Sequence, residues 1–249
     1  MRPDLIFDIG MHDGSDSAFY LAKGYRVVAI EANPHLCAAA ERRFKLEIDT
    51  GRLVVINEGV ADRSDVMSFG INKTKSDWSS FVESFAQRGQ DVEYVGIQVR
   101  PLDYYLSVFG TPYYCKIDIE GHDEMCIQSL ERAKQLPKYV STEATVGNFC
   151  KRMSAIGYAQ FKIISQVWHQ YQHLPFPPRE GEYVDARTTC FMTGPFGDET
   201  YGPWLTAEEF EAEYANCANR VYAGSLHAKL GCPMNVFMDS WFDFHAKLI

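Results

Sequence analysis

The stretch Leu5-Ile-Phe-Asp-Ile-Gly-Met-His-Asp-Gly-Ser-Asp-Ser17 decides how the rest of the chain is read. A short apolar run ends in a carboxylate, two glycines follow four residues apart, and small polar residues come after. An apolar strand closing on glycine and running into a helix is the first turn of an open α/β sheet, where ligands bind beyond the strand ends. Three aspartates in the stretch, Asp8, Asp13 and Asp16, bear on what the turn holds. A dinucleotide site requires G-x-G-x-x-G, with the middle glycine letting the backbone approach a pyrophosphate. Here His12 stands at that position. A diphosphate would also meet like charges, at a cost of several kcal/mol in a half-buried site, on the order expected at low effective dielectric. A cationic ligand meets no such objection.

Outward from this turn, strands and helices alternate. Apolar runs at 4–10, 25–33, 52–60, 113–121 and 138–144 read as buried strands. The segments 15–24, 34–48, 102–109, 123–136, 147–158 and 206–219 read as helices. Gly24 closes the first, Pro34 opens the second, and Thr206 with Glu209 forms a capping box on the last. Residues 66–71 and 94–100 pair as strands around a polar loop, and 161–167 and 187–194 read as closing strands. Continuous apolar strands in β-α-β order give a parallel sheet covered on both faces. The 249 residues form one domain, 1–249, with 166–186 and 195–249 as substrate-side loops and a C-terminal extension.

Composition narrows the classes. A net charge of −9 argues against nucleic-acid binding. The seven cysteines form no C-x-x-C pair and their number is odd, which fits a reducing cytoplasm rather than a disulfide framework. There is no basic-then-apolar leader and no apolar run of membrane-spanning length.

Glu31 ends the second strand about 20 residues after the turn, where a carboxylate accepts hydrogen bonds from ribose hydroxyls in NAD, FAD and S-adenosylmethionine sites alike. The turn favours the last of these, whose ammonium and sulfonium suit the aspartates. The helix beginning at Ser15 would take its carboxylate, and Asp8 with the turn carbonyls its ammonium. The candidate donor set is Asp8, Gly10, His12, Gly14, Ser15, Glu31, Asn33, Glu58, Gly59, Ser79 and Asp118.

A second constellation, Lys116-Ile-Asp-Ile-Glu-Gly-His-Asp-Glu124, closes the central strand. Strand alternation sets Lys116, Asp118 and Glu120 on one face. Asp123 and Glu124 suit the first turn of a helix; Asp118, inside an apolar strand, does not fit that bland role. Together, residues 7–34 and 115–124 resemble the FkbM family of S-adenosylmethionine-dependent methyltransferases. Ser76-Asp-Trp-Ser-Ser-Phe81 resembles a Ser-Ser element found between those motifs. The likeness covers roughly residues 4–165, and the family's usual Asn at the first turn is replaced by His12.

The resemblance implies a class I methyltransferase fold: a doubly wound, Rossmann-like sheet of order 3-2-1-4-5-7-6, mostly parallel with an antiparallel last strand, here assigned to 187–194. It also implies O-methylation of sugars or natural-product hydroxyls. Asp118, Glu120 and His122 are the catalytic candidates, with Asp118 near the sulfonium and Glu120 or His122 facing the acceptor. No metal is expected; the alternative is magnesium held by Asp118, Glu120 and Glu143. Zinc at His169 and His173, spaced H-x-x-x-H, lacks a third ligand. The ring-rich loops with Trp168, His169, His173, Arg179 and Trp204 are the candidate acceptor site, and would serve equally as an edge plug or a homodimer contact. Two other functions compete: a non-catalytic binding module, if Met11 or His12 blocks the pocket, and a nicotinamide oxidoreductase.

Overall fold

The computed structural model describes residues 1–88, 91–144, 146–166, 172–185, 189, 191–223 and 242–249. Its spine is a seven-stranded sheet. In chain order the elements are β1 (Arg2–Ile9), α1 (Ser15–Ala22), β2 (Arg26–Ile30), α2 (Pro34–Arg43), α3 (Lys45–Asp49), β3 (Leu53–Ile56), β4 (Gly59–Val60), β5 (Asp65–Asn72), α4 (Glu83–Ala86), β6 (Val92–Arg100), α5 (Leu102–Phe109), β7 (Pro112–Ile117), α6 (Asp123–Arg132), β8 (Tyr139–Glu143), α7 (Phe149–Ala155), β9 (Tyr158–Ser165), α8 (Ala207–Ala223) and β10 (Phe242–Leu248). The main sheet runs β3-β2-β1-β7-β8-β10-β9, parallel except that β10 lies antiparallel to both neighbours. This is the class I methyltransferase order expected above. Strand order reverses between β1 and β7.

The antiparallel strand is not 187–194. Among the described residues of that stretch, Thr193 and Gly194 give their N–H groups to the Asp16 carboxylate (3.2 and 2.8 Å), and Gly194 turns through a positive φ. The closing strand is Phe242–Leu248, whose Phe-Asp-Phe-His-Ala-Lys-Leu alternates apolar and polar residues with period two.

Three further boundaries move. The helix expected over 34–48 breaks at Phe44, whose φ of −107° and ψ of 28° are not helical, giving α2 and α3. The strand expected over 52–60 divides, because β4 leaves the main sheet and joins β6 and β5 in a three-stranded sheet. The strand expected over 113–121 ends at Ile117, so Asp118 to Glu120 lie beyond it. The pairing of 66–71 with 94–100 is present as β5–β6, and Thr206 and Glu209 form the expected reciprocal cap.

Alternation sorts each strand between two cores. Leu5, Phe7 and Ile9 of β1, Cys115 and Ile117 of β7, Val140 of β8 and Phe244 of β10 point to one face and pack with residues of α5, α6, α7 and α8. The other face takes Ile6, Tyr114 and Tyr139 with Phe19 and Tyr20 of α1. It also takes Asp8, Lys116, Glu143, Asp243, His245 and Lys247. Among the described residues no helix is long and apolar enough to cross a membrane.

Candidate active site

The reversal of strand order opens a cavity of about 680 Å³ at the carboxyl ends of β1, β2, β7 and β8. That size lies within the usual range for small-ligand sites, about 300–1,000 Å³. Neither Met11 nor His12 blocks it: Met11 is buried in the core, and His12 forms part of the wall.

The first turn is held by backbone geometry. Gly10 and Met11 both donate to the Ile30 carbonyl (2.9 and 3.3 Å), and the Asp118 N–H donates to the Ile9 carbonyl (2.9 Å). Gly10 has φ 83°, and a Cβ on it would stand 1.7 Å from the Asp118 carbonyl oxygen. Only glycine lets the ends of β1 and β7 approach this closely. His12 takes a left-handed φ of 51°, and its Nε2 lies 2.8 Å from the Ser76 hydroxyl, which ties the turn to the loop after β5.

Glu31 is 8% exposed and lines the cavity. Its two carboxylate oxygens accept the His12 and Asn33 N–H groups, each at 2.8 Å. Burial pushes its carboxyl up, against the pull of those two donors. A carboxylate has about four lone-pair sites, so both oxygens keep acceptor capacity toward the cavity.

Lys116 is the buried cation of the site. Its Nζ donates to the Gly10 carbonyl at 2.6 Å and pairs with Asp8 (3.3 Å), Asp118 (3.6 Å) and Asp16 (3.9 Å). Burial works to lower its pKa, but the three aspartates hold it well above the ordinary lysine range.

Beyond β7, Glu120 adopts a left-handed φ of 49° and its carbonyl accepts the Ser80 hydroxyl at 2.7 Å. Burial, then the neighbouring Asp118, pushes the Glu120 carboxyl up to about 8. Burial, followed by Asp118, Glu120, Asp123 and Asp243, pushes Glu143 up to about 9. Asp118, Glu120 and Glu143 offer oxygens that all lie within 4.8 Å of one another.

The expected residues are thus partly assembled. Gly10, His12, Ser15, Glu31, Glu58, Gly59, Ser79, Asp118, Glu120 and Glu143 line the cavity together. Four others stand elsewhere. Asp8 is fully buried behind the turn, bound to Lys116 and to the Ser17 hydroxyl (2.6 Å), so it cannot take a ligand's ammonium directly. Gly14 backs onto the Phe44 ring, and the Asn33 side chain caps α2 by accepting the His35 N–H. His122 stacks on Phe81 (5.3 Å between ring centroids) with Nδ1 3.4 Å from the Val60 carbonyl, behind the cavity wall. Burial lowers its pKa. The Ser15 N–H, expected to meet the donor's carboxylate, is taken by Asp13 at 2.9 Å.

The acceptor-side set does not gather at the cavity. Trp204 stacks on Tyr139, at the amino end of β8 and away from Glu143 (6.0 Å between centroids). Arg179 donates to the Asp198 carbonyl nearby (3.3 Å), and His173 is exposed outside the cavity lining. Trp168 and His169 lie outside the described residues. The wall facing the acids is instead built by Trp78, Phe81, Phe85, Arg88 and Phe191. Trp78 and Phe81 belong to the Ser-Asp-Trp-Ser-Ser-Phe motif and Phe85 follows it closely, so the sequence held a signal for them. Asp16 stands in the first-turn motif; nothing local marks Phe191 or Arg88, which enter through tertiary approach.

The order of the sheet and a cavity at its switch point define a Rossmann-like methyltransferase fold. The methyltransferase FkbM domain model matches residues 8–161, and the chain belongs to that family. Solved structures similar to it include the methyltransferase FkbM of Methylobacillus flagellatus KT, 20% identical with a TM-score of 0.38 over 57% of this chain and 32% of that one. Another is an S-adenosylmethionine-dependent O-methyltransferase of Thermotoga maritima, 9% identical with a TM-score of 0.40 over 100% of this chain and 60% of that one. A third is precorrin-6y C5,15-methyltransferase of Geobacter metallireducens GS-15, 16% identical with a TM-score of 0.35 over 65% and 66%. This chain therefore spans about a third of the first of these. No curated protein matches it. Family membership sets the nicotinamide reading aside.

Proposed function

We propose that this chain transfers a methyl group from S-adenosylmethionine to a hydroxyl of a sugar, glycan or other natural product. The observation that carries the reading is the charge of the cavity. Among the described residues that line it, eight are acids, six of them besides the raised pair Glu120 and Glu143, and two, Lys116 and Arg88, are cationic. Such a site suits a donor bearing an ammonium and a sulfonium and opposes a diphosphate.

The residues fit that donor. Glu31 retains the acceptor capacity to hold two ribose hydroxyls. Asp16 and Asp118 flank the turn where an ammonium would sit, replacing the buried Asp8 in that role. When bound, the donor supplies an electrophilic methyl group on sulfur. The chain's part is to align acceptor and methyl at about 3–3.5 Å and to remove a proton from the acceptor. Glu120 is the residue to take it. It lines the cavity, and burial beside Asp118 gives it the basicity a general base needs near neutral pH, a contribution of about 10²–10⁴ in rate. Trp78, Phe85 and Phe191 offer ring faces to the acceptor's apolar surface. A cytoplasmic setting accords with Cys37, Cys115, Cys126 and Cys150, which are buried free thiols.

Thermal shift with S-adenosylmethionine and with NAD tests the donor: the first should raise the melting temperature and the second leave it unchanged. Glu31→Gln should weaken donor binding at least tenfold. A rise with NAD alone, or none with the donor at millimolar concentration, would overturn the reading. Mass spectrometry of products from a panel of glycosides and polyketide alcohols then identifies the acceptor class.

A further inference from the structure

The carboxyl ends of β7 and β8 and the amino end of antiparallel β10 bring acids into one row. Lys116 is level with Ser141, which is level with His245, across three adjacent strands. Two residues further toward the cavity, the same row and face carry Asp118, Glu143 and Asp243, with Glu143 and Asp243 direct ladder partners. Glu120 closes the group from the left-handed turn after β7. The oxygens of Asp118, Glu120 and Glu143 lie within 4.8 Å of one another.

Asp243 supplies a separate observation. It is 2% exposed, its Oδ1 accepts the Gln166 amide at 3.0 Å, and its Oδ2 is buried with no hydrogen-bond partner. Asp123, 1% exposed under the same group, likewise has one oxygen bonded, to the Thr142 hydroxyl and the Ile119 N–H, and Oδ2 without a partner. Buried carboxylate oxygens with nothing to accept from cost free energy. Lys116, the cation nearest Asp118, is already shared with Asp8 and Asp16 and bonded to the Gly10 carbonyl. A further positive charge is what the row lacks.

We propose that Asp118, Glu120 and Glu143 bind a hard divalent cation at the floor of the cavity, with Asp243 as the buried carboxylate behind them. The donor set is all oxygen, which selects Mg²⁺, Mn²⁺ or Ca²⁺ over thiolate- and imidazole-seeking metals. Opposite oxygens on such ions stand about 4–5 Å apart, from bond lengths of about 2.0–2.6 Å, so the span of the trio needs little rearrangement. An ammonium would be satisfied by one or two of these carboxylates and would leave the rest uncompensated. The site itself stands on this geometry alone. Its use, holding the acceptor hydroxyl and easing loss of its proton to water or to the Glu120 oxygen that is not on the ion, rests on the methyl transfer proposed above.

The test is Mn²⁺ binding to the full chain, read by loss of the free-ion electron paramagnetic resonance signal, without donor or acceptor. The wild type should bind one Mn²⁺ per chain, displaced by excess Mg²⁺ or Ca²⁺. Glu143→Gln should weaken binding at least tenfold, and Asp243→Asn several-fold. Asp198→Asn, at the far end of the same face, should bind as the wild type does. Circular dichroism of the metal-free variants separates misfolding from loss of the site, and Glu143→Gln, which replaces a carboxyl crowded by other acids, should melt no lower than wild type. No Mn²⁺ uptake, or uptake undiminished in both Glu143→Gln and Asp243→Asn, overturns the proposal. So does protection from heat by spermidine where Mn²⁺ and Mg²⁺ give none, which would make the row an amine site. Donor binding measured in a chelator is a separate readout, so loss of one function does not count against the other.

Discussion

Tyr139 and Glu143 lie four residues apart on one face of β8, in opposite surroundings. At the Tyr139 end, Phe196 stacks on Tyr114 (4.3 Å between centroids, 6° between planes), Trp204 stacks on Tyr139, and the cations are matched. Lys247 pairs with Asp198 at 2.9 Å, Trp204 donates to the same carboxylate at 2.7 Å, and Lys162 donates to the Thr200 carbonyl and hydroxyl, each at 2.9 Å. At the Glu143 end, acids face one another across open space and two buried carboxylate oxygens are unpartnered. A chain that can satisfy its charges at one end and leaves them strained at the other is holding the second end for something that arrives later. The amino end completes the fold, and the carboxyl end waits for ligands.

The largest effect should come from Gly10→Ala. The added methyl would meet the Asp118 carbonyl at 1.7 Å on a backbone with φ 83°. Parting β1 from β7 should cost on the order of 2–6 kcal/mol and abolish donor binding. Chemical denaturation and donor titration check this together. A variant with wild-type stability and full donor affinity would mean that the turn does not hold the ligand.

Lys116→Met comes next. It leaves Asp8 buried without its cation, and losing one partner of a buried pair costs about 3–5 kcal/mol. The same change at the amino end should cost less. Lys162 is pushed down to about 8, chiefly by burial, and is partly neutral at physiological pH, so Lys162→Met should lose only its two hydrogen bonds, about 1 kcal/mol each. Equal losses in both variants, measured by urea denaturation, would erase the distinction between the two ends.

How much of this contrast the sequence carried depended on whether its cause was local. The first turn, Glu31 and the acids after β7 sit in short motifs, and each motif closes a strand, so their meeting followed from parallel order alone. The fold was legible for the same reason. Asp243 illustrates the opposite case: it is more than a hundred residues from Asp118 in the chain and reaches it because β10 inserts between β8 and β9. Its strand was marked by alternation in Phe242–Leu248, whereas 187–194 offered only apolar content. Trp204 and Arg179 looked like acceptor contacts because rings and cations in the loops after β9 suit either end of a sheet. Only the register of Tyr139 and Lys247 with Trp204 and Asp198 sends them to the amino end. Asp8, likewise, stands on the correct strand face yet one layer beneath the cavity, a matter of depth that alternation does not encode.

Trp204→Ala sharpens the comparison from the side of the fold. Removing the half-buried ring that stacks on Tyr139 and hydrogen-bonds Asp198 should lower stability by about 2–3 kcal/mol, less than for a fully buried aromatic because the ring is partly exposed. For a domain of this size that is roughly 4–12 °C in melting temperature. Donor and Mn²⁺ affinities should be unchanged at temperatures where the variant is folded. A tenfold loss of donor affinity would return Trp204 to the acceptor or donor site and break the division of labour.

A last contrast lies in the pH dependence of metal-free stability, where the two ends pull in opposite directions. At the carboxyl end, Glu120 and Glu143 have native pKa values raised above their unfolded ones, to about 8 and about 9, mainly by burial. The native state therefore binds more protons than the unfolded state above about pH 4.5. Their contribution is fully present below that pH and is lost as pH rises through 8 and 9. At the amino end, Lys162 has a native value lowered from 10.5 to about 8. The native state there binds fewer protons, so stability rises with pH between about 8 and 10.5. The melting temperature of metal-free protein should therefore fall from pH 5 to pH 8. Glu143→Gln should flatten that slope, and Lys162→Met should leave it in place while removing any recovery above pH 8. A fall that persists undiminished in Glu143→Gln would assign the titration to other carboxylates, such as Asp16 or Asp123, each raised to about 6 by burial, and would remove Glu143 as the centre of the strained end.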